Sequence, residues 1–326
     1  TPAPTAAPAA PESVRARPAG DTTSTTTTTT AAEPERWTDG SFSHQGRTLG
    51  YKLYVPPREA GGTPAPRPLI LMLHGCTQDP ADFAAGTRMN ELARREGCVV
   101  LYPAQTAHAN SQKCWNWFKP QHQRRGKGEP ALLAALTRHV AAAEHVDDTR
   151  IYAAGLSAGG AMADILGQTY PDLFAAVGVH SGLPAGSATD LMSALAAMRS
   201  GGAAPAATAT ETAGAPAPVI VFHGDADSTV NPANGAAVAR AALGRHAGSA
   251  GRPAARETQG RSARGQGYVR TDYPGADGST AVELWTLHGA GHAWSGGSAN
   301  GSYTDARGVD ASSEMLRFFL AHPMRP

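Results

Sequence analysis

The sequence has few cysteines, little net charge and no long apolar run, and each shortage excludes a class of protein. Three cysteines in 326 residues, with no Cys-x-x-Cys pair, exclude a dense disulfide scaffold and a cysteine-rich zinc site. Lys and Arg number 28 and Asp and Glu number 27, a net charge of +1, so we expect no nucleic-acid or anionic-membrane partner. No apolar run approaches the roughly 20 residues of a transmembrane helix.

The first 36 residues differ in composition from the rest of the chain. Residues 1–18 are rich in Pro and Ala, and residues 22–30 are Thr except for Ser24. Such a segment buries too little to offset the entropy lost on ordering. We therefore expect a disordered N-terminal segment over 1–36 and one folded domain over 37–326. Because the chain begins with Thr1 rather than Met, we also expect a processed or trimmed product.

From residue 37 onward, short apolar runs alternate with helical patterns. Continuous apolar runs of strand length are typical of strands covered on both faces, and their alternation with helices predicts an α/β fold with a mostly parallel, doubly wound sheet. Residues 200–218 and 247–267 are rich in Ala, Gly, Pro and Arg and are predicted to be surface insertions. The predicted strands are 50–55, 68–73, 98–102, 151–156, 175–179, 219–222 and 282–287, and the predicted helices are 89–96, 130–144, 158–168, 232–243 and 310–321.

The segment 155–159 matches the pattern G-x-S-x-G around Ser157. The pattern alone is weak in a glycine-rich chain, and a serine in a turn or helix cap is the simpler interpretation. Here, however, an apolar strand enters the pattern and a small-residue helix leaves it, as a strand–nucleophile–helix turn requires. Ser157 is therefore the candidate nucleophile, and a serine hydroxyl needs a base to activate it.

An acid and a histidine should follow the serine in that order. Asp225 and Asp227 both follow the predicted strand 219–222, and the residues alone leave both acids open. His292 lies in a glycine-rich loop after the strand 282–287 and is the candidate base. His288 and His292 are four residues apart, as two metal ligands on a helix would be, but the glycines between them disfavour a helix and no third ligand is near. No metal is expected.

A reaction at an ester carbonyl also needs hydrogen-bond donors that stabilise the negative charge developing on the carbonyl oxygen. One donor should be the backbone N–H of Ala158, which follows the candidate nucleophile. The second should come from the loop after an early central strand, and residues 73–78 occupy that place. We assign it to the N–H of Cys76.

Five segments together resemble one family. They are Leu-His-Gly-Cys-Thr-Gln at 73–78, Cys-Trp-Asn-Trp-Phe at 114–118, Gly-Leu-Ser-Ala-Gly-Gly at 155–160, His-Gly-Asp-Ala-Asp at 223–227 and Gly-Ala-Gly-His-Ala-Trp at 289–294. In this order they are similar to the polyhydroxybutyrate (PHB) depolymerase family of esterases, which are α/β-hydrolases related to feruloyl and acetyl-xylan esterases. The resemblance runs from about residue 41 to residue 322.

The resemblance implies a serine esterase without a cofactor. It implies Ser157 as nucleophile, His292 as base and Asp227, in preference to Asp225, as the acid that orients the base. Within the resemblance we also predict a disulfide between Cys76 and Cys114 beside the site; three free thiols are the alternative. Trp115, Asn116, Trp117, His180 and Trp294 are candidate substrate contacts, although packing in the core would explain the tryptophans equally.

The resemblance favours a polyester of 3-hydroxybutyrate or its short oligomers as substrate. A feruloyl or acetyl ester on plant polysaccharide is the alternative, because the same three residues serve both. A non-catalytic binding module that reuses the fold is a more remote one. The Thr- and Pro-rich leader and the expected disulfide favour an extracellular location over a cytoplasmic one. The sequence gives no oligomeric state.

Overall fold

Ten strands form a single sheet in the computed structural model, which describes residues 31–61, 64–203, 214–246 and 254–325. The strands are β1 (Arg36–His44), β2 (Arg47–Val55), β3 (Arg67–Leu73), β4 (Val99–Ala104), β5 (Val146–Leu156), β6 (Ala176–His180), β7 (Val219–Gly224), β8 (Arg256–Arg261), β9 (Gly267–Pro274) and β10 (Thr280–Leu287). Two short strands, β11 (Trp294–Ser295) and β12 (Thr304–Asp305), pair separately.

The sheet has the order β1-β2-β4-β3-β5-β6-β7-β10-β9-β8. Its centre, from β4 to β10, is parallel throughout, whereas the flanking strands pair antiparallel. The helices are α1 (Pro80–Thr87), α2 (Met89–Glu96), α3 (Gly128–Ala143), α4 (Ala158–Thr169), α5 (Leu191–Ser200), α6 (Ala233–Arg245) and α7 (Ala311–Leu320). The prediction of a mostly parallel, doubly wound α/β sheet is confirmed.

Strand β3 shows why its sequence is apolar without interruption. Leu69, Leu71 and Leu73 belong to one hydrophobic core, and Ile70 and Met72 belong to a second core on the opposite face of the sheet. Successive strand residues point to opposite faces, so a strand covered on both sides needs apolar residues at every position. Helices α3, α4 and α6 supply the first core and α1, α2 and α7 the second.

The predicted N-terminal segment lies mostly outside the described residues. Where it is described, the backbone of Glu33 pairs with that of Arg58, and strand β1 begins at Arg36. Part of each predicted insertion also lies outside the described residues, namely 204–213 of the first and 247–253 at the start of the second, while β8 occupies residues that were predicted to belong to a surface insertion. No helix in the described ranges is long and apolar enough to cross a bilayer.

Candidate active site

Ser157, Asp227 and His292 follow three strands of the parallel centre of the sheet. Ser157 follows β5, Asp227 lies in the loop after β7, and His292 lies in the loop after β10. These strands, with β6 between β5 and β7, are consecutive neighbours and run parallel. All three side chains therefore follow the carboxyl ends of parallel strands, which is where parallel α/β sheets form their sites.

The backbone of Ser157 adopts a conformation that few residues other than glycine accept. Its φ and ψ are 59° and −119°, a strained combination of the kind found at functional sites. The flanking glycines are required sterically. A Cβ on Gly155 would lie 2.3 Å from the carbonyl carbon of Gly159, and a Cβ on Gly159 would lie 2.1 Å from the carbonyl oxygen of Leu73. The turn between β5 and α4 thus has the geometry of a nucleophile turn.

Asp227 is hydrogen-bonded to His292 and is held in place from both sides. The His292 Nδ1 donates to Asp227 Oδ2 at 2.8 Å, while the backbone N–H groups of Thr229 and Val230 donate to Oδ1 at 2.9 Å each. Burial alone would raise the pKa of this carboxyl, but the hydrogen bonds from His223 and His292 and from the backbone outweigh it and lower the pKa. Asp227 is therefore an ionised acceptor that fixes the tautomer of His292 with its proton on Nδ1.

The competing acid, Asp225, is paired with the other histidine. Its carboxylate accepts from His288 Nδ1 at 2.9 Å and from the Gly289 N–H at 2.7 Å, and both side chains are largely exposed, by 41% and 51%. The two histidines that a metal would need are thus each bound to a different acid. Within the described ranges, no group of three or more His, Cys, Asp or Glu side chains could hold a metal ion.

His180, a predicted substrate contact, instead connects the serine turn to the His292 loop. It is fully buried at the end of β6; its carbonyl oxygen accepts from the Ser157 N–H at 2.9 Å, and its Nε2 accepts from the Ser295 N–H at 3.0 Å. Its ring also stacks on Trp294, with ring centroids 5.1 Å apart. These contacts hold the His292 loop against β6, the strand next to the one that carries Ser157.

The burial of His180 predicts acid sensitivity of the fold. Burial lowers its pKa from 6.5 to about 3, so between these values the unfolded chain takes up a proton that the folded chain refuses. Stability should therefore decrease as the pH falls from about 6.5 towards 3. Thermal unfolding across this range should show that dependence, and a His180→Gln variant should show a shallower one. An equal slope in both proteins would contradict the assignment.

The loop after β3 is shaped by side chains on either side of Cys76. Because the His74 Nε2 accepts from the Gln105 N–H at 3.1 Å, its Nδ1 carries the proton and donates to the Gly75 carbonyl at 2.7 Å. The Gln78 Oε1 accepts from the Gly75 N–H at 2.8 Å. Within the described part of the chain, the N–H groups of Cys76 and Ala158 donate to no protein acceptor. Both remain available to an oxyanion.

The predicted disulfide is confirmed. Cys76 and Cys114 are bonded, with their Cα atoms 4.2 Å apart and a sequence separation of 38. Behind the bond, the buried carboxylate of Glu129 accepts three hydrogen bonds of 2.7 Å, from the backbone and side-chain amides of Asn116 and from the side-chain amide of Gln105. The loop that contains Cys114 is therefore fixed to both the predicted oxyanion loop and helix α3.

A thiol count tests the disulfide. The native protein should show essentially no reactive thiol at about pH 8, because Cys98 is buried and burial raises its pKa to about 12. Denaturation without reductant should expose one thiol, and denaturation with reductant should expose all three cysteines. Reduction of the 38-residue loop should lower the free energy of unfolding by about 3–4 kcal/mol on the chain-entropy account. Three thiols without reductant would contradict the bond.

The predicted substrate contacts are buried. None exposes more than 4% of its surface: Trp115, Asn116, Trp117, His180 and Trp294. Trp115 Nε1 donates to the His74 carbonyl at 3.1 Å, and Trp294 Nε1 donates to the Ser312 hydroxyl at 3.0 Å. These side chains are thus buried and hydrogen-bonded or packed within the protein, and direct contact with a ligand would require neighbouring atoms to move.

Several residues of the site were not found by sequence analysis. Gln78, Glu129 and His223 are at most 3% exposed and are hydrogen-bonded to the loops that carry the candidate residues. Gln78 and His223 lie within the segments that carried the family resemblance, which was the available signal. Glu129 offered none, because an acid in the first turn of a helix is common on surfaces.

The chain is similar to known esterases and depolymerases. A family model described as "Esterase PHB depolymerase" matches residues 49–262. The chain is 35% identical over 239 residues to poly(3-hydroxyalkanoate) depolymerase C of Paucimonas lemoignei, covering 71% of this chain and 56% of that protein. It is 28% identical over 304 residues to poly(3-hydroxybutyrate) depolymerase of Ralstonia pickettii, covering 86% of this chain and 59% of that protein.

The chain therefore spans less than three fifths of the length of these two relatives. Among solved structures, acetyl xylan esterase from Aspergillus awamori superposes with a TM-score of 0.65 at 18% identity, covering 86% of this chain and 98% of that one. This likeness shows a shared α/β-hydrolase fold. The matched family model shows more, because it covers most of the folded residues: the chain belongs to the esterase PHB depolymerase family.

Proposed function

We propose that this protein is a carboxylic ester hydrolase that works through Ser157, His292 and Asp227. The observation that carries the proposal is the 2.8 Å hydrogen bond from the His292 Nδ1 to the buried Asp227 carboxylate. Both residues follow the carboxyl ends of parallel strands, as the strained Ser157 turn does. A carboxylate-bound imidazole and a serine on such a turn, both following parallel strands of one sheet, are the groups that acyl transfer through an activated hydroxyl requires.

The reaction proceeds in two steps. His292 Nε2 takes the proton of Ser157 as its oxygen attacks the ester carbonyl carbon, and the N–H groups of Cys76 and Ala158 hold the resulting oxyanion. The intermediate collapses to an acyl-serine, and the alcohol departs with the proton from His292. A water molecule, deprotonated by His292, then attacks the acyl carbon, which releases the acid and returns the proton to Ser157. Asp227 stabilises the imidazolium in both steps.

The proposed substrate is a polyester of 3-hydroxyalkanoates or its short oligomers. The support is the 35% identity to a poly(3-hydroxyalkanoate) depolymerase across most of the folded chain. The disulfide between Cys76 and Cys114 also supports work in an oxidising compartment outside the cytoplasm.

Comparison of substrates tests this function. We expect kcat/KM for soluble 3-hydroxybutyrate oligomers to exceed that for methyl ferulate and for acetylated xylan by at least about tenfold, because an acyl pocket discriminates by fit. Polymer film should also be degraded. Preference for methyl ferulate or acetylated xylan would assign the alternative substrates instead. A native protein that does not react with a fluorophosphonate probe would contradict the esterase and indicate a binding module.

A further inference from the structure

His223 is a second histidine in contact with the candidate acid. It lies near the end of β7 and exposes only 3% of its surface. Its Nε2 is 2.9 Å from the Val230 carbonyl oxygen and 3.4 Å from Asp227 Oδ2. The same Asp227 oxygen accepts the hydrogen bond from His292. One carboxylate oxygen therefore faces two imidazole rings.

The contacts of His223 define its protonation. A carbonyl oxygen can only accept, so the Nε2 of His223 carries the proton and donates to the Val230 carbonyl, while it also faces Asp227 Oδ2 at 3.4 Å. The Nδ1 is buried and has no hydrogen-bond partner among the described residues. The one donor that the surroundings of the ring can satisfy is therefore the Nε2–H.

Helix α6 holds this ring in place. A Cβ on Gly235 would lie 2.7 Å from the His223 Nδ1, so the helix backbone packs directly against the ring and any other residue at 235 would displace it. An unpartnered buried nitrogen costs stability. On its other side the ring presents its Nε2–H to the Val230 carbonyl and to Asp227.

We propose that His223 is a positioning residue that shares Asp227 with His292 and thereby limits how strongly the acid stabilises a protonated His292. The inference rests on the proposed function. A second N–H that faces Oδ2 withdraws electron density from the bond to His292, and it adds to the contacts that hold the carboxylate. The other ionisable groups near this pair are the buried neutral His180 and the exposed Asp225–His288 pair.

Two substitutions separate the donor from the packing of the ring. In His223→Gln the side-chain amide nitrogen is as many bonds from Cα as the Nε2, so the donor is kept. In His223→Met a chain of similar length keeps the apolar volume and removes the donor. His288→Gln is the matched control, because His288 is also bound to an aspartate but is exposed and lies outside the proposed machinery.

The measurement is kcat/KM for a soluble ester against pH. In His223→Met we expect the acid limb to move up by about half a pH unit and the plateau to decrease by about tenfold. His223→Gln should keep the wild-type limb and a plateau within about threefold, and His288→Gln should match the wild type. An unmoved limb in His223→Met, or the same limb shift and loss in both His223 variants, would overturn the proposal.

Two further observations keep the test decisive. If His223→Met does not fold, the long-range ¹H–¹⁵N spectrum of the wild type must show the His223 proton on Nε2; a proton on Nδ1 would overturn the proposal. Fluorophosphonate labelling distinguishes a failure of the role proposed for His223 from a failure of the proposed esterase function. Labelled variants with an unmoved acid limb refute the role of His223 alone, whereas an unlabelled wild type refutes the proposed function.

Discussion

Replacement of Ser157 by alanine should reduce kcat for ester hydrolysis by about 10⁵- to 10⁶-fold. The substitution removes the hydroxyl oxygen that forms the acyl-serine and leaves the base and the oxyanion donors in place. Alanine has the same Cβ as serine, so the strained φ of 59° is kept and the melting temperature should change little. The measurement is kcat on a soluble 3-hydroxybutyrate ester, with labelling by a fluorophosphonate probe as a second readout, which should be lost.

Ser181 offers a matched control for this substitution. It is buried at the end of the neighbouring strand β6, and its φ of 48° is also positive. Its hydroxyl is 3.0 Å from the His180 Nδ1. Ser181→Ala should therefore loosen His180 and cost at most about tenfold in kcat, while labelling by the probe persists. Retention of more than a tenth of the activity by Ser157→Ala would refute the assignment of the nucleophile.

The fold was predictable where burial is continuous along the chain. The apolar runs that became β3, β4 and β7 are central strands covered on both faces, and their sequences contain little else. The polar sequence of β1 gave no such signal, because β1 is an edge strand, exposed along most of its length, that depends on pairing with β2. Strand β8 was missed for the same reason, since it lies at the other edge and is almost entirely exposed.

The sequence alone could not determine which of two acids pairs with His292. Asp225 and Asp227 are two residues apart, and either could have met His292. Strands β7 and β10 pair in parallel with Gly224 opposite Leu287, so the residues that follow them meet in order: Asp225 with His288, and Asp227 with His292. The register between two strands more than 50 residues apart in sequence decides the pairing, and local sequence carries no information about it.

The same limit applies to the residues that support the site. His180 and Glu129 are hydrogen-bonded to residues that lie in other segments of the chain, 115 and 13 residues away. A lone histidine or glutamate in a sequence is usually a solvated or capping group. A run of apolar residues predicts the burial of a strand from the sequence alone. A buried polar residue is recognised only when the structure shows its hydrogen-bond partner.

Asparagine at position 227 should reduce kcat by about 10⁴-fold. The Asp227 Oδ1 accepts two backbone N–H groups, so an asparagine would keep its oxygen there and turn its amide nitrogen towards His292 and His223. Both histidines present donors to that position. His292 must then move its proton from Nδ1 to Nε2 to accept from the amide, and an imidazole protonated on Nε2 cannot take the proton of Ser157.

Asp225→Asn is the control that makes this result specific. It removes the same charge two residues away, from a carboxylate that is exposed and bound to His288, and we expect less than about a threefold change in kcat. Kinetics of both variants at one pH above the acid limb, with melting temperatures to exclude unfolding, provide the comparison. If Asp225→Asn lost the larger factor, the acid would have been assigned to the wrong residue. If both variants lost equally, the effect would belong to net charge near His292 rather than to its tautomer, because Asp227 is hydrogen-bonded to His292 whereas Asp225 is hydrogen-bonded to His288.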